Sequence, residues 1–237
     1  MSDASGVPPS QKISRALYFN ARFLVQKRAR PILELAGYPP SLGWPQKSDF
    51  IAVWGQSPTA YRGGKISALT GAPILWVGEA LPRSLFPAQV KKDPPLGMSL
   101  YTSGVHFDPS RPNDMECPLA EHPLDDDNQI LQAKNAKERI KKAHLSKYFA
   151  TDSTFSSPPS GYMLVLDQLR DDASVKASDG DKYLFREMLS SALKNEPNQP
   201  IVIKTHSKKK LGTRAGYYGE EHCTKAHISL YEHPCSP

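Results

Sequence analysis

The stretch YMLVLDQLRDDAS, residues 162–174, decides the fold. Tyr162 to Leu166 are five apolar or aromatic residues in a row, and so short a run predicts a buried strand. The run ends abruptly at Asp167, with Arg170 three residues further on. Ligands of open α/β sheets bind at the carboxyl ends of the strands. The stretch therefore predicts an α/β fold and leaves two readings of Asp167, a site residue or an Asp that caps a turn.

Composition excludes several classes of protein. The 237 residues allow one large domain or two small ones, and 39% of them are hydrophobic, which is enough for a core. The net charge of +6 is too small to predict a nucleic-acid partner without a zinc finger, an RNP-like motif or a helix-turn-helix, and none is found. No apolar run is as long as about 18 residues, the minimum for a helix that spans a membrane. We therefore expect a cytoplasmic protein.

The three cysteines have no metal-site or disulfide pattern. Cys117, Cys223 and Cys235 are an odd number with no CxxC spacing, which predicts free thiols. The segment GEEHCTKAH invites a zinc reading, but a structural zinc site needs four closely arranged ligands. We expect no metal and no cofactor.

The N-terminal region, residues 1–48, is predicted to be a polar tail followed by a basic amphipathic helix over residues 12–37. Leu17 and Leu24 fall near one face of that helix, and Pro31 is expected to break or kink it. A basic amphipathic helix can lie on an anionic membrane surface. It can equally dock on its own domain, and the sequence leaves both possibilities open.

Residues 49–150 are predicted to form a first Rossmann-like domain. Phe50–Trp54 and Ile74–Val77 read as strands on either side of a short helix that Gly63 and Gly64 weaken. This is the pattern of a parallel βαβ unit with a right-handed crossover.

A long irregular stretch, residues 78–125, follows the first unit, with one strand expected at Met98–Tyr101. Apolar residues then recur at three- and four-residue steps, which predicts a helix over about residues 127–148. Residues 151–160 have the composition of a linker.

The βαβ pattern restarts in residues 161–237. Tyr162–Leu166 and Ile201–Lys204 are the predicted strands, with a helix over Asp181–Leu193 between them. The residues of this helix predicted to face inward are Leu184, Met188 and Leu193. Only two strands are visible, whereas a doubly wound domain has about five or six. The sequence thus predicts two Rossmann-like domains, the second truncated.

Six stretches together resemble a known family. In order they are FIAVWGQSPTA, GEALPRS, DPPLGMSLYTSGVHFDPSRPNDME, LSKYF, LVLDQLRDDAS and IVIKTHSKKKLGTRAGY. Over about residues 49–220 the chain resembles bacterial capsule polysaccharide biosynthesis proteins, the β-Kdo glycosyltransferases of the KpsC/LipA type. The resemblance implies a GT-B-like fold and the retaining transfer of Kdo from CMP-Kdo to a lipid-linked acceptor, which builds the β-Kdo linker of the capsule.

The chain departs from the family pattern in two motifs. GEALPRS stands where the family has EDGFLRS, which keeps Glu79 and Arg83, and THSKKK stands where THPD is usual, which keeps Lys204 and His206. The GFEAL-like and PFYAGWG-like segments of the nucleotide-binding half are not found. We therefore expect weak or absent CMP binding by this chain.

The resemblance implies three catalytic residues. Asp167 corresponds to the nucleophile that carries Kdo in a covalent intermediate, and the alternative is a turn cap. Glu79 is a candidate general base for the acceptor hydroxyl, or else a solvated loop residue. His206 is a candidate donor to the leaving phosphate, or else forms a structural hydrogen bond.

Four further residues are candidates for substrate binding. Lys204 could meet a phosphate or the sugar carboxylate as a point charge. Arg83 and Arg170 could hold the Kdo carboxylate in a fork, although loop arginines are often only solvated. Gln168 follows Asp167 directly and is a candidate for orienting the sugar.

Two classes of function remain open. The chain is either an enzyme that transfers Kdo, or an inactive remnant or non-catalytic scaffold that binds the acceptor. The partners implied by the resemblance are CMP-Kdo and a lipid-linked acceptor, with peripheral contact to the inner-membrane surface and the capsule export machinery.

Overall fold

The chain divides into two units, Met1–Val105 and His106–Pro237, and each is described separately. The computed structural model describes residues 14–86, 93–147, 158–206 and 215–232. Of the predicted linker at 151–160, only residues 158–160 lie in the described part of the chain. None of the described helices is long and apolar enough to cross a membrane.

The first unit is built on a five-stranded sheet of order β2-β1-β3-β4-β5. Its strands are β1 (Ala16–Tyr18), β2 (Pro40–Ser41), β3 (Phe50–Trp54), β4 (Ile74–Glu79) and β5 (Met98–Tyr101). β1 to β4 are mutually parallel, and β5 runs antiparallel to β4. Its helices are α1 (Arg22–Val25), α2 (Ala29–Leu35) and α3 (Ala60–Thr70). The predicted βαβ unit is confirmed as β3-α3-β4.

The predicted N-terminal helix is wrong where the chain forms β1. Ala16 and Leu17 are completely buried, and β1 pairs with β2 on one side and β3 on the other. Three apolar residues cannot reveal a strand by periodicity, and pairing on both sides overrides local helix propensity. Pro31 does not kink a helix, because it lies in the first turn of α2, where backbone N–H groups have no helical partner.

An ion pair holds the amino ends of β1 and β3 together. Asp49 is 2% exposed and accepts two hydrogen bonds from Arg15, from Nε at 3.1 Å and from Nη2 at 2.6 Å. The backbone N–H of Gln46 also donates to this carboxylate, at 2.7 Å. The hydrogen bonds from Arg15 lower the pKa of Asp49, against the opposing effect of burial. The loop before β3 is thereby tied to β1.

The second unit contains a three-stranded parallel sheet of order β6-β7-β8. The strands are β6 (Met163–Leu166), β7 (Ile201–Lys204) and β8 (Ile228–Tyr231). The helices are α4 (Glu116–Glu121), α5 (Asp127–Lys142), α6 (Ala173–Ala177) and α7 (Lys182–Asn195). β6 and β7 were predicted, whereas β8 is a third strand that was not predicted. Leu166, Lys204 and Tyr231 are in register, so the three strands end at one edge.

Helix α7 lies where it was predicted, but its inward face was misassigned. Leu184 is 51% exposed and Met188 is 39% exposed, whereas Leu189 and Ala192 are buried in the core of the unit. Leu193 is partly buried against that core, as predicted. Residues 184/188 and 185/189 are equally good helical pairs, so the sequence pattern cannot choose between the two faces.

Helix α5 begins as predicted and ends earlier. The Asp126 side chain accepts from the backbone N–H groups of Asn128 and Gln129 and so caps the first turn. At the other end His144 adopts a left-handed conformation with φ 48°, and the N–H of Leu145 bonds to the carbonyl of Ile140. This is a Schellman motif, which stops the helix at Lys142.

Neighbouring glycines in α3 are predicted to respond oppositely to substitution. A Cβ at Gly63 would overlap a methyl group of Val53 on β3, whereas a Cβ at Gly64 would meet nothing within 4 Å. Gly63→Ala should therefore destabilise the fold by about 1–3 kcal/mol through overpacking. Gly64→Ala should stabilise it by about 0.5–1 kcal/mol, because alanine has the higher helix propensity. Urea unfolding followed by circular dichroism measures both, and destabilisation of equal size by the two variants would contradict the packing of α3 on β3.

Candidate active site

The predicted site residues follow the carboxyl ends of three strands. In the first unit, Glu79 is the last residue of β4 and Arg83 follows four residues later. In the second unit, Asp167, Gln168 and Arg170 follow β6, Lys204 is the last residue of β7, and His206 follows it. β6 and β7 are adjacent and parallel, so these two groups of residues share one sheet edge.

Asp167 is a buried carboxylate held by backbone groups. It is 7% exposed, and its own N–H donates to the carbonyl of Lys204 at 2.9 Å. Its Oδ1 accepts from the N–H of Gln168 at 2.8 Å and from the N–H of Tyr217 at 2.9 Å. The carboxylate therefore caps the turn after β6 and also binds a loop 50 residues away in sequence. Asp167 therefore caps a turn and also places a carboxylate at the end of the strand, so the two readings of this residue are compatible.

Gly216 allows the loop to approach that carboxylate. A Cβ at this position would overlap Oδ2 of Asp167, so no other residue fits without a shift. An isolated bridge joins Leu169 to Gly216, and the N–H of Arg170 donates to the carbonyl of Ala215 at 2.9 Å. Sequence reasoning missed Gly216 and Tyr217, although both lie in the stretch KLGTRAGY that contributed to the family resemblance. A glycine inside such a motif was the signal that could have identified them.

Aromatic packing fixes the same loop from the helix side. The rings of Tyr217 and Phe185 are stacked, with centroids 4.0 Å apart and planes 5° apart. The guanidinium of Arg170 lies 6.0 Å from the centroid of the Tyr217 ring. The hydroxyl of Tyr218 donates to the backbone carbonyl of Phe185. Burial, and to a smaller extent the negative charge of Asp167, raise the pKa of Tyr218, so this phenol stays a neutral donor.

Three further predicted site residues lie at the same edge of the second sheet, and their burial and contacts differ. They are Lys204, His206 and Gln168. Lys204 is 6% exposed, and its Nζ donates to the carbonyl of Thr205 at 3.0 Å. The Gln168 side chain accepts from the N–H of Leu169 at 2.9 Å and so helps to form the turn. His206 is half-buried directly after β7. Their contacts with a sugar or a phosphate stay predictions.

In the first unit Arg83 holds Glu79. Arg83 is completely buried, and its Nε donates to Oε1 of Glu79 at 3.1 Å. Its Nη1 donates to the carbonyl of Asp93 at 2.7 Å and to the Ser84 hydroxyl. The Glu79 side chain retains 24% exposure. Arg83 was predicted to hold a sugar carboxylate, but complete burial favours a positioning role, in which the guanidinium fixes the orientation of Glu79.

The arrangement supplies oriented carboxylates at strand ends. A carboxylate in a fixed direction can attack an anomeric carbon or stabilise an oxocarbenium-like transition state. A second, partly exposed carboxylate can take a proton from a hydroxyl group. Asp167 is the buried carboxylate with a fixed direction, and Glu79 is the partly exposed one that can take a proton.

Comparison with known proteins finds one family to which this chain is similar. A family model described as "Capsule polysaccharide biosynthesis protein" matches residues 119–234. The capsule polysaccharide modification protein LipA of Neisseria meningitidis serogroup A is 26% identical over 176 residues, which are 72% of this chain and 25% of LipA. The chain is similar to the KpsC/LipA-type capsule polysaccharide biosynthesis proteins. The predicted resemblance is thereby confirmed.

A further similar protein is named for lipopolysaccharide processing. The lipopolysaccharide-processing protein LpsZ of Rhizobium meliloti is 28% identical over 162 residues, covering 66% of this chain and 36% of LpsZ. The chain thus spans about a quarter of the length of LipA and about a third of the length of LpsZ.

Solved structures confirm the predicted fold class. KpsC of Thermosulfurimonas dismutans, a β-Kdo 2,4 transferase, matches with a TM-score of 0.78 at 22% identity, over 95% of this chain and 70% of that one. A β-Kdo 2,7 transferase of the same KpsC matches with a TM-score of 0.57 at 14% identity, over 92% of this chain and 68% of that one. The chain has the mixed α/β, GT-B-like fold of these neighbours.

Gly216→Ala is predicted to destabilise the chain by about 1–3 kcal/mol, because the new methyl group must displace the Asp167 carboxylate or the loop. Ala215→Ser, at the exposed neighbouring position, is the matched control and should change the free energy of unfolding by less than about 0.5 kcal/mol. A double-mutant cycle with Asp167→Ala tests the cause, since removal of the carboxylate makes room for the methyl group. If Gly216→Ala costs as much in the Asp167→Ala background as in the wild type, the proposed overlap is not what requires glycine.

Proposed function

We propose that this chain acts in capsule polysaccharide biosynthesis as a retaining Kdo transferase that uses CMP-Kdo as donor and a lipid-linked molecule as acceptor. The observation that carries the proposal is the position of Asp167: a buried, oriented carboxylate at the end of a parallel strand, in a chain with the fold of a Kdo transferase. The family resemblance supports the same residue through the motif LVLDQ.

The proposed reaction has two displacements. The carboxylate of Asp167 attacks the anomeric carbon of Kdo, the bond from that carbon to the phosphate oxygen breaks, and CMP leaves. The acceptor hydroxyl then attacks the same carbon, its proton passes to Glu79, and the ester bond to Asp167 breaks. Two inversions at one carbon retain its configuration. His206 is the proposed donor to the leaving phosphate.

The remaining residues have supporting roles in this proposal. Arg170 and Gln168, on the turn after Asp167, are proposed to contact the sugar. Arg83 is proposed to orient Glu79 from its buried position. Lys204, which donates to the carbonyl of Thr205, is proposed to contribute positive charge near the phosphate. The proposal includes contact with the inner-membrane surface and the capsule export machinery from the cytoplasmic side.

A second candidate function is a non-catalytic protein that binds the acceptor or serves as a scaffold. One observation favours it: Oδ1 of Asp167 already accepts two backbone hydrogen bonds, so the carboxylate has a structural use without any reaction. In that case the family motif would be retained for the loop that it holds.

Asp167→Asn separates the two functions. The Asn side-chain oxygen can still accept from Gln168 and Tyr217, so the turn is kept while the negative charge is removed. For the transferase we expect CMP release from CMP-Kdo, measured in a full-length context with a complete nucleotide-binding half, to fall by at least about a thousandfold, the scale on which loss of a catalytic residue acts. The melting temperature should change little relative to Asp167→Ala, which loses both hydrogen bonds.

A covalent adduct provides the independent check. Kdo should be trapped on the tryptic peptide that ends at Arg170, and the adduct should be absent from Asp167→Asn. Unchanged CMP release in that variant, or an adduct mapped to Glu79, would sink the assignment of Asp167 as nucleophile. A wild-type protein that binds an acceptor but releases no CMP in that full-length context would establish the scaffold function.

A further inference from the structure

Helix α5 is exposed at every residue except Ile130, which is half-buried. It has 16 residues, and among those described residues none is buried. Leu131 is 57% exposed and Ile140 is 44% exposed. Isolated helices of about 12–15 residues are marginal in water even when they are rich in alanine, and most helices in proteins are stabilised by packing. A helix that is capped at both ends and has no buried residue among those described is suited to a surface outside the described part of the chain.

One face of α5 is basic. Lys134, Lys137 and Lys141 recur at three- and four-residue steps, so their side chains occupy one sector of the helix. Arg139 and Lys142 add two more positive charges, and Glu138 is the single acidic residue between positions 128 and 142. The ion pair from Lys141 to Glu138 spans 3.4 Å between two exposed side chains and contributes little. With Asp127 in its first turn, α5 therefore carries five positive charges against two negative charges.

An apolar stripe runs beside the lysine sector. Ile130, Ala133 and Ile140 recur at spacings of three and seven residues, and the stripe borders Lys137 on the helix surface. Lysine side chains next to an apolar stripe can lay their methylene stems along it and extend their ammonium groups outward. The combined surface formed by Lys134, Lys137, Lys141, Ile130, Ala133 and Ile140 is called the α5 face below.

We propose that the α5 face docks on an anionic lipid bilayer, with the helix axis parallel to the bilayer surface. The three lysines meet the lipid phosphates, and the isoleucines contact the boundary between headgroups and acyl chains. Basic residues close to an anionic membrane surface contribute about 1 kcal/mol each. The positive charge of the α5 face favours an anionic partner. The apolar stripe favours a lipid bilayer over a polyanion such as a nucleic acid, because only the bilayer offers an apolar region to contact.

This inference deepens the proposed function, because docking would bring the chain to the membrane where a lipid-linked acceptor resides. It also moves the predicted membrane-binding helix from residues 12–37 to α5. The basic amphipathic helix predicted over residues 12–37 is interrupted by β1 in the interior of a sheet, whereas α5 has the charge, length and exposure that such a role needs. Lipid binding is measured without any donor sugar, so its failure and the failure of the transfer reaction can be told apart.

Vesicle flotation with the full chain tests the proposal. The probes are vesicles of phosphatidylcholine alone and vesicles with about 30% phosphatidylglycerol, at about 0.1 M salt. We expect binding to the anionic vesicles only, and weaker binding at higher salt because surface charges are screened. The variant Lys134→Glu/Lys137→Glu/Lys141→Glu should lower the partition coefficient at least about tenfold. Ile140→Ser leaves the charge unchanged and should also weaken binding.

A charge-matched control shows whether the face or the net charge is responsible. Lys182→Glu/Lys194→Glu/Lys225→Glu changes the net charge by the same amount at exposed lysines of the same unit. The control should retain most of the binding, and circular dichroism should show both triple variants folded. Equal losses in the two triple variants, equal binding to neutral vesicles, no binding of the wild type to anionic vesicles, or no effect of Ile140→Ser would each overturn the proposal.

Discussion

One carboxylate oxygen organises the edge of the second sheet. Oδ1 of Asp167 accepts from the N–H that follows it and from the N–H of Tyr217, and so joins the end of β6 to a loop near β8. The glycine at 216 and the stacked ring of Tyr217 are consequences of this contact, because the loop must approach closely and then be held. Hydrogen bonds to a charged acceptor are among the stronger ones in proteins.

A carboxylate is also held at the end of β4, there by a charged side chain instead of by backbone N–H groups. There a completely buried arginine holds a half-buried carboxylate, so Glu79 is oriented by a group of its own unit. In both units a strand end presents a carboxylate whose direction is fixed before any ligand binds. Fixed orientation reduces the freedom that a reacting group must lose, which is why catalytic groups are commonly supported in this way. It also means that substitutions here affect folding and activity together.

Much of the framework was predictable from sequence, and the missing parts have identifiable physical causes. β3, β4, β6 and β7 are continuous apolar runs bounded by turn residues, so each could be found. β1 is three residues long, and β8 is a weak apolar patch, so only pairing with neighbours defines them as strands. The sequence placed Asp167 at a strand end but could not reveal its partner 50 residues away, since that contact exists only after the loop has folded back. The burial of Arg83 could not be predicted either, because arginines are mostly exposed in proteins.

Hydrogen exchange at the amide of Tyr217 tests this account most directly. If Oδ1 of Asp167 holds that N–H, exchange should be slow in the wild type and at least about tenfold faster in Asp167→Ala, which corresponds to the loss of about 1.4 kcal/mol. Asp167→Asn, which keeps an acceptor oxygen, should remain close to the wild type. The amide of Ile203 in the middle of β7 serves as the internal reference and should not change. Equal exchange rates of the Tyr217 amide in the wild type and in Asp167→Ala would contradict the account, because the loop would then be held without the carboxylate.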